Sequence, residues 1–222
     1  MKTIATYTQS LGKTSRRFLT SLFLSITTLP VLAGTITGTA HDFSGSGWSG
    51  GEICIACHTP HNADATVTDA PLWNHNLSTQ SYALYDSPTL NATTSQPTGT
   101  SKLCLSCHDG TVAYDNTAGG TTMSGNSAVG RGTLGLSDDH PISFDYNAAL
   151  VTADGALHPV SRTVTIGAGT DSKTGSINDV MLIAGQVQCA TCHDVHNKFT
   201  DGANLLRISN AGSGLCLTCH NK

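Results

Sequence analysis

The chain has 222 residues, of which 12% are charged and 5% aromatic, with 23 glycines. Its formal charge is −4, from 11 Lys and Arg against 15 Asp and Glu, which argues against nucleic acid or an anionic membrane surface as a partner. A chain this poor in large apolar side chains would struggle to build an ordinary hydrophobic core, so its interior is expected to need another filling.

The N-terminus reads as an export leader. Lys2, Lys13, Arg16 and Arg17 form a basic region, Phe18 to Val31 is mostly apolar, and Val31-Leu32-Ala33 supplies an A-x-A-like cleavage site. The expected division is a signal peptide over 1–33 and a single domain over 34–222. A membrane anchor is the competing reading, but the apolar stretch is short for a span and Thr and Ser interrupt it. Ser15 to Leu19 looks somewhat like a twin-arginine signal, although export of the unfolded chain is the preferred route. Loss of the leader removes four basic residues and no acidic ones, so the mature chain carries seven Lys and Arg against fifteen Asp and Glu, formally −8.

Residues 34–53 are rich in Gly, Ser and Thr, are expected to be irregular, and contain His41. Cys54-Ile55-Ala56-Cys57-His58 follows and continues to His61-Asn62. Pro71-Leu72-Trp73-Asn74-His75 comes next, then a turn-rich segment, then Cys104-Leu105-Ser106-Cys107-His108. Residues 115–137 are Gly-rich and loop-like, and lead to Asp138-Asp139-His140-Pro141. Val160 to Ile166 alternates like a strand, Gly167 to Gly175 reads as a connection, and Asn178 to Gln188 as a source of partner strands. A hairpin or small three-stranded sheet is therefore expected within 158–188. The last segment holds Cys189-Ala190-Thr191-Cys192-His193, continuing to His196-Asn197, and Cys216-Leu217-Thr218-Cys219-His220.

All eight cysteines fall in these four C-x-x-C-H motifs, the signature of covalent c-type haem attachment. The two thiols bond to the haem vinyl groups, and the following His lies under the ring and ligates iron. Zinc ribbons also use C-x-x-C pairs, two pairs to a metal, but zinc would leave four histidines unexplained. The expectation is four haems c, held by Cys54, Cys57, Cys104, Cys107, Cys189, Cys192, Cys216 and Cys219, with His58, His108, His193 and His220 as proximal ligands. The fold class expected is a multihaem cytochrome c: mostly irregular loops, short helices at the motifs, the small β element near 158–188, and a core made largely of cofactor.

The second axial position decides the function, because an open iron permits catalysis whereas a filled one favours electron transfer. Six further histidines are present: His41, His61, His75, His140, His158 and His196. Only Met123 and Met181 follow the leader. Bis-histidine ligation of all four irons is the simplest assignment. The distal candidates, in order, are His61, His196, His75, His140 and His41, of which one is spare unless a neighbouring subunit shares in the supply. His158, in Leu157-His158-Pro159, is read as a turn residue. His61 and His196 each follow a proximal His by three residues, about one helical turn. Neither can cross to the far face of its own haem, but each can reach the iron of a neighbouring one. Trp48 and Trp73 are read as space-filling.

An internal repeat is visible. Motifs one and three read C-x-x-C-H-x-x-H-N, and motifs two and four read L-C-L-[ST]-C-H. This predicts two haem pairs, around 54–108 and 189–220, from duplication of a two-haem unit.

The ordered set Cys54 to Asn62, Pro71 to His75, Leu103 to Gly110, Asp138 to Phe144 and Cys189 to Asn197 resembles the secreted tetrahaem cytochromes with doubled C-x-x-C-H motifs, among them the OmcE-type cytochromes that form extracellular filaments. The resemblance spans nearly the whole mature chain. It implies bis-His haems in a continuous stack and a distal His donated across the subunit interface, with His61 as the candidate donor by analogy. The function expected is electron transfer and not bond chemistry. The partners are redox proteins or extracellular electron acceptors and further copies of the chain, with no nucleic acid and no membrane span in the mature chain. The location is extracellular or at the cell surface, alternatively periplasmic. The competing functions are a soluble periplasmic carrier, an oxyanion reductase with one open haem, and a haem-storage protein.

Overall fold

The computed structural model describes residues 35–115 and 120–222. The expected leader lies outside the described residues. Those described fall within one unit, Ala33–Lys222.

Regular structure is sparse. Five α-helices are present among the described residues: α1 (Gly99–His108), α2 (Ala148–Asp154), α3 (Ile177–Val180), α4 (Cys189–Cys192) and α5 (Gly214–Cys219). Four strands accompany them: β1 (Phe144–Asp145), β2 (Thr163–Ile166), β3 (Lys173–Ser176) and β4 (Gln186–Val187). Motifs two, three and four thus lie on helices, as expected, while motif one forms a single 3-10 turn, Cys54–Ala56.

Strands β2 and β3 form an antiparallel hairpin with Thr163 opposite Ser176 and Ile166 opposite Lys173. The expectation of partner strands from 178–188 is corrected. Ser176 ends β3 as a helix cap, its hydroxyl accepting from the Asp179 amide at 3.2 Å. Ile177, Val180 and Met181 then follow at the i, i+3, i+4 spacing of a helix face and are almost completely buried. Ala184 and Gly185, both at positive φ, reverse the chain. Strand β4 consequently meets β1, with Phe144 opposite Val187, and not the hairpin.

These pieces converge on one apolar cluster of Phe144, Tyr146, Leu150, Ile166, Ile177, Val180, Met181, Leu182 and Val187. Helix α2 contributes Leu150. Its start is capped by the Asn147 side chain, which accepts from Ala149 N and Leu150 N at 3.0 Å each, and Gly155 closes its end in a left-handed conformation. Leu215 and Cys219 pack against the same cluster, so it anchors motif four. A smaller cluster of Tyr82, Leu105 and Leu136 holds the inner face of α1. Gly135 allows that contact: its φ is +57°, and a Cβ there would lie 2.7 Å from the Ala83 nitrogen. Among the described residues no helix is long and apolar enough to cross a membrane.

Candidate haem sites

Each motif is a short helical turn that ends at its histidine. The amides of His58, His193 and His220 donate to the carbonyl of the first cysteine of their own motif, at 2.9, 3.1 and 2.9 Å. The backbone becomes extended at His193 and His220, which swings the ring away from the helix. Arg162 steadies the last turn of α5 by donating to the Leu217 and Thr218 carbonyls at 2.9 and 3.3 Å, a cation at a helix C-terminus.

Three proximal rings are oriented in the same way. His58 Nδ1 donates to the Pro71 carbonyl at 2.7 Å, His108 Nδ1 to Ser127 at 2.7 Å, and His193 Nδ1 to Asn204 at 2.8 Å. A carbonyl can only accept, so Nδ1 carries the proton and Nε2 keeps its lone pair for a metal. His140 is set likewise by the Pro141 carbonyl at 2.8 Å.

Three proximal rings also face a distal candidate. Ring centroids are 6.4 Å apart for His58 and His196, 6.0 Å for His108 and His41, and 6.4 Å for His220 and His140. Two metal–imidazole bonds of about 2 Å each, with the two half-rings, put axial imidazole centroids about 6 Å apart. These spacings therefore fit an iron between each pair. Burial first, then His108 and His193, lowers the His41 pKa, while burial and then His140 lower that of His220. Both shifts favour the neutral, ligating imidazole.

The other three histidines stand apart. His61 is exposed, and among the described residues neither it nor His193 has a ring contact with another imidazole. His75 is buried, with Nε2 against the Ala56 carbonyl and its ring 5.7 Å from that of Trp73. His158 serves through its backbone, its amide donating to Cys219 at 2.8 Å and its carbonyl accepting from the Tyr146 hydroxyl at 2.7 Å.

Sequence reasoning missed the carbonyls of Pro71, Ser127 and Asn204, since a backbone acceptor leaves no residue-type signal. It also passed over Asp109 and Asp194, which the repeated His-Asp after motifs two and three could have flagged. Asp194 is buried and accepts from the amides of His196, Lys198 and Phe199 at 3.1, 3.2 and 2.8 Å, so it shapes the loop that presents His196. The Asn that ends each C-x-x-C-H-x-x-H-N also acquires a reason: Asn62 and Asn197 have φ of +58° and +53°, a left-handed conformation that Asn tolerates well.

The surroundings suit a haem. All eight thiols are free, and among the described residues no three Cys, His, Asp or Glu side chains converge on a metal-sized site, as paired zinc-ribbon motifs would. Burial raises Cys57, Cys192 and Cys219 to about 11 and Cys107 to about 12. Among the described residues, four buried polar atoms lack a hydrogen-bond partner: His41 Nδ1, Trp73 Nε1, Thr100 Oγ1 and Arg207 Nε. Such atoms are rare in folded proteins. Here they belong to distal candidate His41, to the motif-two helix, to the residue bridged to His58, and to the residue whose amide donates to the Cys192 carbonyl at 2.8 Å. A polar cofactor edge would satisfy them, and the Arg207 guanidinium suits a propionate.

Residues 182–222 match the model of a family described as the doubled CXXCH motif. No curated protein and no solved structure matches the chain. The match supports a multihaem c-type cytochrome. Its motifs indicate covalently bound c-type haem and point to haem-based electron transfer, in proteins that are typically exported.

Proposed function

We propose that this chain is an exported tetrahaem electron conductor in which every iron has two imidazole ligands, and that copies of it join end to end as an extracellular filament. His58 with His196, His108 with His41, and His220 with His140 would hold three of the irons. The single observation that carries this reading is the set of three proximal–distal ring separations between 6.0 and 6.4 Å. When bound, haem supplies reversible one-electron chemistry; the chain fixes each imidazole, keeps Nε2 free, and brings ligands from one motif to the haem of another. His196 illustrates this, since it belongs to motif three and faces the proximal His of motif one.

Among the described residues, His193 is the candidate proximal residue with no imidazole in ring contact, and His61 is an exposed imidazole without one. The two motifs are copies of one type. His61 of a second copy is therefore assigned to the iron at His193, which carries the haem series from one subunit to the next. The test is electron microscopy together with absorption spectroscopy of His61→Ala. Loss of filaments and appearance of one high-spin haem are expected. Filaments that persist with four six-coordinate haems would overturn the assignment.

The same feature at His193 favours one other reading, a haem open to an exogenous ligand, as a reductase requires. Cyanide or nitrite added to the secreted protein distinguishes the two. A spectral change equivalent to one haem in the assembled protein supports the reductase, and no change supports the conductor.

A further inference from the structure

The two halves of the repeat meet at helices α1 and α4, which carry motifs two and three. Their first turns are capped by each other. Helix α1 begins after Thr98, whose side chain makes no capping bond. Its Ser101 amide instead donates to Gln188 Oε1 at 3.1 Å. In return, the Cys189 amide, at the start of α4, donates to Ser101 Oγ at 2.9 Å. First-turn amides have no partner inside their own helix, so each helix supplies what the other lacks.

A third residue locks the exchange. Ser143 Oγ donates to Gln188 Oε1 at 3.3 Å and accepts from the Thr98 amide at 3.1 Å. The Gln188 amide side chain also donates to Gln186 Oε1 at 3.0 Å, and its backbone amide to Thr191 Oγ1 at 2.9 Å. Ser101, Gln188 and Ser143 are 0%, 2% and 4% exposed, so water offers these groups no alternative. The first cysteines of the two motifs lie beside this knot. Cys104 is one turn beyond Ser101, Cys189 adjoins Gln188, and the two thiols interact across the junction. On the tetrahaem reading those sulfurs would form the thioethers that hold haems two and three.

We infer that Ser101, Gln188 and Ser143 are positioning residues that fix the spacing of haem two relative to haem three. The inference rests on the tetrahaem reading above. It adds a second-to-third haem contact, and it names residues that no haem-binding motif includes.

The test uses the full chain with haem attached, as wild type, Ser101→Ala, Gln188→Met and Ser106→Ala. Ser106 is the control: it is as buried as Ser101 and lies on α1, but its hydroxyl donates to Lys102 O at 2.8 Å and accepts from Ser78 N at 3.0 Å, away from α4. Mass spectrometry counts haems, and circular dichroism in the Soret band reads exciton coupling between neighbouring haems. Four haems in every protein are expected, with loss of couplet amplitude in Ser101→Ala and Gln188→Met and wild-type amplitude in Ser106→Ala. Unchanged amplitude in Ser101→Ala overturns the inference, as does an equal loss in Ser106→Ala, which would indicate general loosening of α1. Fewer than four haems in Ser101→Ala also counts against it, because the knot is assigned to spacing and not to attachment. A wild-type protein with fewer than four haems would instead sink the tetrahaem reading itself.

Discussion

At the scale of single residues, the buried carboxylates beside the motifs are the most exacting features. Asp109 directly follows His108 and is 4% exposed. It accepts from the Tyr82 hydroxyl at 2.7 Å, from Thr111 Oγ1 and N at 2.6 and 2.8 Å, and from the Ser78 hydroxyl. Asp109→Ala strands those donors in a dry site and should cost about 3 kcal/mol, read as a lower denaturant midpoint, since each buried unpaired polar group costs about 1–3 kcal/mol. A variant within about 0.5 kcal/mol of wild type would show that water reaches the site. Asp194 does different work, because three loop amides converge on it around His196. Asp194→Ala should free that loop, and the haem at His58 should gain a high-spin component. An unaltered low-spin spectrum would mean that the loop holds His196 without the carboxylate.

At the scale of elements, the short helices and strands depend on caps and turns more than on length. Helix α2 has seven residues and owes its start to Asn147 and its end to Gly155. Asn147→Ala should cost about 1 kcal/mol, measured by thermal or denaturant unfolding, as loss of a side-chain N-cap usually does. Ile177, fully buried at the start of α3, is a core position of another order. Ile177→Ala should cost about 2–5 kcal/mol, through lost transfer energy and the cavity left behind. Equal effects at the two sites would mean that the apolar cluster is not the main support of the hairpin, α2 and α5. The contrast with the expected third strand has the same origin. A serine cap and a helical apolar triplet at 176–181 outweigh the β-rich composition of the flanks, because burial of Ile177, Val180 and Met181 on one face removes more apolar surface than two further ladder bonds would offset.

At the scale of the whole molecule, two small apolar clusters support nearly two hundred residues that are largely irregular. Neither cluster reaches motif one. The motif-one segment is held by backbone bonds to Leu72, Trp73 and Asn74 and by the orientation of His58 toward Pro71. Haem is expected to supply the remaining interior. Replacing all eight cysteines with alanine should therefore give a chain with no cooperative unfolding transition in calorimetry. A sharp transition in that variant would show that the polypeptide folds on its own.

The sequence by itself determined what is local. Covalent attachment needs two thiols and an imidazole within five residues, so the candidate attachment cysteines and proximal histidines could be named by eye, as could the alternating repeat and the helices at motifs two to four. His41, His196 and His140 could be named as distal candidates, but not paired, because a second axial ligand arrives from a distant loop and nothing in the intervening spacing encodes which iron it meets. Only the tertiary structure set His196 opposite His58 and His41 opposite His108, left His61 exposed, and tied α1 to α4 through Ser101 and Gln188. Those choices depend on where buried hydrogen bonds and a few apolar contacts close the loops, a property of the packed chain and not of any stretch of it.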